Sequence, residues 1–395
     1  MISEKIMALA AQKQEELVQI RRTIHQHPEL GHEENQTCAY VKEQLEGLGL
    51  EVQGNVAGTG VVALLKGKEG GRTIMLRADM DALPIEEKTG LPFASVNTGK
   101  MHACGHDAHT TILLGAARIL AELKDEIHGN VKFVFQPAEE TSPTGSACMI
   151  EAGVMENPHV DVVASTHVWP DIPAGQYGVR IGPVMAAPDF FRLEIKGKAS
   201  HGSQPEKGVD PILMGHEIYE AFQTIPVSVA GVLNPVVVSV TSFQGGTCNN
   251  AFPDTCVLEG TIRSYDETIR KQIPKVMESM ISSVTTRHGG EYDFNYRRGC
   301  AAVVNDEKMA QIASRAVTEL YGPKAIAATP YPAMTGEDFS LYMQMVPGVF
   351  IWTGVRNEEK GSIYPLHDSR FIIDEDVLSR TSAVFAQLAV DYLAD

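Results

Sequence analysis

The chain has 395 residues, 44% of them hydrophobic and 21% charged, an ordinary globular composition that excludes disorder as its main state and leaves room for two domains with cores of their own. With Lys+Arg 33 against Asp+Glu 50 the formal net charge is -17, a field that repels phosphate backbones and anionic lipid surfaces, so neither nucleic-acid nor membrane partners are expected. No run reaches the roughly 18 apolar residues of a membrane span, and the opening MISEKIMALAAQKQEEL lacks a signal peptide's basic start and apolar core; a cytoplasmic location is the expectation.

In chain order, Ser3 is a candidate cap for a helix whose apolar positions Ile6, Leu9, Leu17, Ile20 and Ile24 form one stripe and which Pro28 stops. A second helix follows near Gln36 to Leu48. Apolar runs of strand length come next, at Val61–Leu65, Thr73–Leu76, Val131–Phe135 and Val162–Ser165, with a helix near His109–Leu123 between the second and third. Near-continuous apolar strands alternating with helices indicate an α/β domain with a buried, mostly parallel sheet flanked by helices.

After Pro183 the texture changes. FFRLEIKGK reads as a strand with one exposed face, followed by a helix from Asp210 to Phe222, strands at Val236–Phe243 and Thr255–Ser264, a long helix from Asp266 to His288 and a strand at Tyr292–Tyr296. The order β-α-β-β-α-β is that of ferredoxin-like α+β domains. Beyond Cys300 the α/β texture returns, with a helix near Asp306–Tyr321, a short helix at Glu337–Met345, a strand at Val349–Trp352 and a last helix from Asp374. The expected organisation is a discontinuous catalytic domain, residues 1–184 and 299–395, with a satellite domain at 185–298 inserted into it.

Polar clusters sit where the first domain's strands end: Asp79 and Asp81 after TIMLR, Glu139 and Glu140 after VKFVFQPA, His167 after DVVAST. In open α/β sheets the carboxyl ends of strands are where ligands bind. The segment MHACGHDAH adds Cys104 and His106, two apart in a glycine-containing loop at the start of a helix, and YPLHDS adds His367 in a late loop. Thiolate and imidazole suit zinc and similar divalent ions. Adjacent glutamates can diverge, one to a metal and the other to the proton of an attacking water. Taken singly, Cys104 is equally a small buried apolar residue, His167 a core histidine and the glutamate pair a solvated loop; it is their coincidence at strand ends that argues for a site. The six cysteines include no CxxC pair, so reduced thiols are expected.

HxHPELGxxE at His25–Glu34, RADMDALP at Arg77–Pro84, MHACGHDAH at Met101–His109, QPAEE at Gln136–Glu140, SHGSQP at Ser200–Pro205 and MTGEDFS at Met334–Ser340 together resemble the M20 peptidase family. Within it they resemble the subgroup of N-acyl amino acid amidohydrolases, hippurate hydrolases and auxin-conjugate hydrolases, over essentially the whole chain. The resemblance implies a zinc-exopeptidase-like catalytic domain and two divalent metal ions per subunit (zinc, manganese, cobalt or nickel). It implies Cys104, His106, Glu140, His167 and His367 as ligands and Glu139 as general base, then general acid. The wider family has a metal-binding histidine where this chain has Asp79; a ligand role at Asp79 is therefore in doubt, and Asp81 reads as a group that orients ligands.

The resemblance also implies a homodimer, or a dimer of dimers, built through the inserted domain, with His201 reaching the neighbouring protomer's site as an oxyanion donor. Asn250 resembles a substrate-contacting asparagine, although Asn249 and Asn250 equally suit a turn. Arg263 suits a substrate carboxylate, or is simply a solvated strand charge. Glycine and proline around Gly182–Pro188 and the short link Arg297–Cys300 would let the inserted domain swing. The expected activity is hydrolysis of the amide of a small N-acyl amino acid, to a carboxylic acid and a free amino acid. The alternatives are a dipeptidase or carboxypeptidase of the same family, an amidase with Cys104 as nucleophile and His106 or His109 as its base, and a metal-binding or dimeric interaction protein without turnover.

Overall fold

The computed structural model describes residues 1–328 and 332–394. The chain folds as two compact units, one of Met1–Gly182, Val304–Tyr331 and Leu341–Asp395, the other of Pro183–Val303 and Pro332–Ser340.

The larger unit is built on a seven-stranded sheet. Its spatial order is Glu51–Val56, Gly60–Lys66, His128–Gln136, Lys68–Asp79, Val162–Pro173, Gly348–Arg356 and Tyr177–Gly178. The four central strands, His128–Gln136 to Gly348–Arg356, pair in parallel, and the pairings outside them are antiparallel. Side chains of the central strands are buried on both faces, for example Val131, Phe133, Val134 and Phe135, as a sheet covered on both sides requires. The helix His106–Glu122 packs with the helices Ile2–Gln26 and Val377–Ala394 and is almost wholly buried; its middle, residues 112–117, is apolar around the full circumference, the pattern of an interior helix.

Register decides where the polar clusters fall. Asp79 is level with Gln136 on one side, and Arg77 is level with Ser165 on the other. Two residues on, Asp79 and His167 therefore stand at one height at the carboxyl ends of adjacent parallel strands, and Glu139 and Glu140 follow Gln136 by three and four positions. Among the described residues, no helix is long and apolar enough to cross a membrane.

The smaller unit is a four-stranded antiparallel sheet in the order Val236–Gly245, Thr255–Ser264, Ala187–Lys196, Glu291–Arg298, with the helices Pro211–Phe222 and Glu267–His288 packed on one face. This is the ferredoxin-like topology that the element order implies. Phe191, Leu193 and Ile195 alternate inward along the first strand, and both helices begin at an aspartate, Asp210 and Asp266, whose carboxylate accepts the first free backbone N–H groups.

Several limits differ from those expected. The first helix is Ile2–Gln26 and takes Ser3 inside it, buried; the chain's own ammonium at Met1 donates to Glu4 Oε2 at 2.6 Å instead. The helix expected from His109 begins at His106. The short helix expected at Glu337–Met345 is only Ser340–Met343, and the last one starts at Val377 rather than Asp374. The smaller unit runs to Val303 and includes Pro332–Ser340, because the N–H of Ala186 bonds the carbonyls of Ala333 and Thr335 at 3.1 and 2.9 Å.

Candidate metal centre

The Cys104–His106 pair owes its position to Gly105. This residue precedes the helix with φ 90°, a left-handed conformation that costs glycine little. A Cβ there would also lie 2.4 Å from Cγ2 of Val168. The turn aims the Cys104 thiol and the His106 ring to the same side while the helix starts behind them.

Around the Cys104 sulphur the donors converge. Nε2 of His167 lies 3.4 Å from Sγ and Nε2 of His367 3.3 Å from it. Ligand atoms of Cys104, His106 and His167 lie within 4.8 Å of one another, as do those of Cys104, Glu140 and His367, and those of His106, Glu139 and Glu140. The structure thus brings together all five expected ligands and the expected base. One donor atom, Nε2 of His106, is buried and makes no hydrogen bond, while Oε1 of Glu140, also buried, pairs with Nε2 of His367 at 3.0 Å. A buried polar atom without a partner is uncommon, and this one lies in a set of sulphur, imidazole and carboxylate donors suited to borderline divalent ions. The residues present fit a metal centre.

The surrounding hydrogen bonds decide which atoms remain for an ion. Nδ1 of His106 is held 3.1 Å from Oδ1 of Asp81, and Oδ2 of the same carboxylate accepts the N–H of Glu140 at 3.0 Å. Nδ1 of His167 donates to the carbonyl of Val168 at 2.7 Å. In both histidines this leaves Nε2 facing inward. His109 differs: its Nε2 accepts the N–H of Val168 at 2.9 Å and its Nδ1 donates to Oδ1 of Asp79 at 2.6 Å, so neither nitrogen is left for a ligand. Asp79 is spent likewise, its other oxygen 2.7 Å from Nη1 of Arg77. Asp79, His106 and His109 also lie close enough to form a donor group, but these bonds assign Asp79 and His109 to support.

Two features here were not apparent in the sequence. The His109–Asp79 pair had a signal, since His106 and His109 are three apart on one helix and Asp79 and Asp81 two apart on one strand end. Glu34 had none beyond its motif. Fully buried, it accepts the N–H of Ala138 at 2.8 Å and the hydroxyl of Thr59 at 2.6 Å, fixing the turn that carries Glu139 and Glu140. His102, buried with neither ring nitrogen bonded and with its pKa pushed by burial down to about 4, joins none of the donor groups, and nothing in the structure explains it.

Electrostatically, the cluster's own groups shift one another's protonation. Burial opposes charge on His106, but Asp79 and Cys104, with the bond to Asp81, outweigh it and hold its pKa well above the ordinary value. The Cys104 sulphur and the Glu140 carboxylate push His367 up to about 10. Burial and the neighbouring His109 keep His167 neutral, and burial pushes the Cys104 thiol up despite His106.

The remaining expected residues belong to the smaller unit. His201 and Asn250 adjoin one another: His201 pairs with Ala251 in a short antiparallel bridge, and the N–H of Gly202 bonds the carbonyl of Asn250 at 2.7 Å. Both side chains are exposed, and Nδ1 of His201 accepts the N–H of Ser203 at 3.1 Å. Arg263 lies at the opposite end of its strand from these two. Its guanidinium bonds the Thr261 hydroxyl and the carbonyl of Ile262 and lies over the Phe190 ring, 5.5 Å away.

Aromatic side chains flank the larger unit's cluster. Trp169, two residues beyond His167 on the same strand face, has its ring 6.0 Å from that imidazole and stacks on Trp352 at 4.4 Å, nearly parallel.

A central parallel sheet bearing histidine, cysteine and paired carboxylates at its strand ends, together with a ferredoxin-like unit, defines the class of two-domain metal-dependent hydrolases. Residues 75–391 match the model of peptidase family M20/M25/M40, and the chain belongs to that family. It is 42% identical over 305 residues to the N-acyl-L-amino acid amidohydrolase of Geobacillus stearothermophilus, covering 77% of this chain and 82% of the relative. It is 40% identical over 379 residues to thermostable carboxypeptidase 1 of Saccharolobus solfataricus, covering 95% of each. Among solved structures it resembles the Bacillus subtilis YXEP protein, described as a dinuclear metal-binding peptidase of the M20 family, with a TM-score of 0.85 at 36% identity over 96% of this chain and 98% of that one.

Proposed function

We propose that the chain is a metal-dependent amidohydrolase that splits small N-acyl amino acids into a carboxylic acid and a free amino acid. The observation that carries this reading is the convergence of Cys104, His106, Glu140, His167 and His367, with the buried Nε2 of His106 left unbonded, beside a second glutamate. Divalent ions held by those five residues would make water more acidic and polarise the acyl carbonyl. Glu139, within 4.8 Å of the His106 and Glu140 ligand atoms, takes a proton from the attacking water and returns it to the departing amine. Asp81 and Asp79 keep the imidazoles turned so that each presents one nitrogen. His201 serves as oxyanion donor to a second copy's site in a homodimer, the role that the resemblance implies, and zinc, manganese, cobalt and nickel all suit the donor set.

A second reading, a carboxypeptidase or dipeptidase on the same cluster, is favoured by the similarity to the Saccharolobus carboxypeptidase. One experiment separates the readings: metal content by elemental analysis, with amino acid release from N-acetyl, N-benzoyl and dipeptide substrates before and after chelation. Metal near two per chain, with activity on N-acyl substrates lost to chelator and restored by metal, supports the proposal. Release from dipeptides alone favours the second reading, and activity undiminished in metal-free protein overturns both.

A further inference from the structure

The turn that carries Glu139 holds a backbone conformation that its own sequence does not favour. Ala138, next to Glu139, has φ 53°, in the left-handed region where a Cβ crowds the backbone and glycine is the usual occupant. Residues kept there by their surroundings cluster at active sites, where the strain serves the geometry. What keeps Ala138 there comes from a segment about 104 positions earlier in the chain.

Oε1 of Glu34 accepts the N–H of Ala138 at 2.8 Å, and Oε2 accepts the Thr59 hydroxyl at 2.6 Å, all three residues being buried. Two neighbours of Glu34 press on the same turn. A Cβ on Gly31 would lie 2.7 Å from Oγ1 of Thr141 and 3.1 Å from Cα of Ala138, so only a glycine lets the two segments approach this closely. Nε2 of His32 donates to the carbonyl of Pro143 at 2.9 Å. The turn also closes on itself, the carbonyl of Ala138 accepting the N–H of Gly145 at 2.8 Å.

Glu140 has a hold of its own, since its N–H bonds Oδ2 of Asp81 at 3.0 Å. The two glutamates are thus fixed by different carboxylates: Asp81 acts at the proposed ligand, and Glu34 acts one residue before the proposed base. Release of Ala138 from the left-handed region would turn the peptide between it and Glu139. With Glu140 tethered, the displacement falls on Glu139.

We propose that Glu34 is a positioning residue for the general base: its carboxylate locks Ala138 in the left-handed conformation and so aims Glu139 at the attacking water, with no part in holding metal. This rests on the amidohydrolase reading, in which Glu139 moves the proton. A catalytic group misplaced by about 1 Å costs on the order of 100-fold in rate, so the effect of Glu34 belongs in kcat.

The test is a double-mutant cycle between Glu34→Ala and Glu139→Gln in metal-loaded protein. It reads kcat, KM, metal affinity and the hydrogen exchange of a peptide spanning Ala138. Glu34→Ala is expected to lower kcat about 100-fold, to leave KM and metal affinity at native values, and to quicken the exchange. In the Glu139→Gln background the same substitution should change the residual kcat by less than about twofold, because a base already lost cannot be misplaced. Glu34→Gln, whose amide oxygen can still accept the N–H of Ala138, recovers most of the rate. Thr59→Val keeps the shape but removes the hydroxyl that anchors Glu34; it shows the same pattern at smaller amplitude and carries the cycle by itself if Glu34→Ala does not fold. Losses that multiply in the double variant, or a metal affinity that falls with Glu34→Ala, overturn the proposal and leave the amidohydrolase reading intact. Quickened exchange at Ala138 in a chain whose Glu139→Gln variant stays fully active supports the clamp on the turn and overturns the assignment of Glu139 as base instead.

Discussion

Oδ1 of Asp81 lies 3.1 Å from Nδ1 of His106, both side chains buried, and the other oxygen of that carboxylate accepts the N–H of Glu140. One carboxylate therefore sets the orientation of two proposed ligands from two different elements. Asp81→Asn keeps the shape but presents an amide N–H to one of these partners, so metal affinity is expected to fall about 10- to 100-fold. Competition against a chromogenic chelator reads this directly; an unaltered affinity would remove Asp81 from the metal-positioning role.

Glu139 stands next to a proposed ligand without being one of the five. Glu139→Gln keeps size and removes the basic oxygen, and a lost general base costs roughly 10²- to 10⁴-fold. Metal content should stay at the native level while kcat drops by that factor. Full activity in the variant would mean that some other group moves the proton.

Metal loading should release protons. In the metal-free protein His106 is held well above its ordinary pKa, His367 is pushed up to about 10 and the Cys104 thiol is raised, so at neutral pH a cation must displace a proton from each. Apparent affinity is then expected to rise with pH through the neutral range. Titrations in buffers of different ionisation enthalpy count the protons, and a heat that does not depend on the buffer would contradict the expectation.

A separate effect of pH comes from the first helix. Nδ1 of His25 lies 2.8 Å from Oδ2 of Asp107, which Arg21 also reaches at 2.9 Å, and all three side chains are buried. Burial opposes charge on His25, but Asp107 and Glu87 outweigh it and raise the pKa. A raised folded-state pKa contributes stability that is complete below the unfolded value of about 6.5 and is lost as pH rises through the folded one. Asp107, which burial would raise, is held far below the usual carboxylate range chiefly by Arg21 and His25; its contribution is present above pH about 4 and is lost only in strong acid. His25→Gln should therefore flatten the alkaline limb of the stability profile and leave the region below pH 6 with little slope. Urea midpoints of both proteins at pH 6 and pH 9 check this; an equal loss in both would clear His25.

The local patterns were the legible ones. Apolar runs on both faces marked the parallel strands, and the spacing of Cys104, His106, Glu139 and Glu140 marked side chains that the fold brings together. What stayed hidden depended on contacts distant in sequence. Glu51–Val56 alternates exposed and half-buried residues at a sheet edge, so its apolar signal is weak. The helix start at His106 turns on the positive φ of Gly105, which no side-chain periodicity reports. The segment Pro332–Ser340 joins the smaller unit through backbone bonds to Ala186, and backbone bonds leave no mark on composition. Glu34 and His109 support the cluster across 104 and 59 positions of sequence, to Ala138 and Val168.

The stacked pair beside His167 has a practical side. Trp169 and Trp352 are the two tryptophans of the whole chain, and they lie in contact with each other next to a proposed ligand. The indole emission of this protein therefore originates entirely in one stacked pair, whose nearer ring lies 6.0 Å from the His167 imidazole. Elsewhere a tryptophan would have to be engineered in; here the molecule carries its own optical probe of what happens at His167, with no background from the rest of the fold.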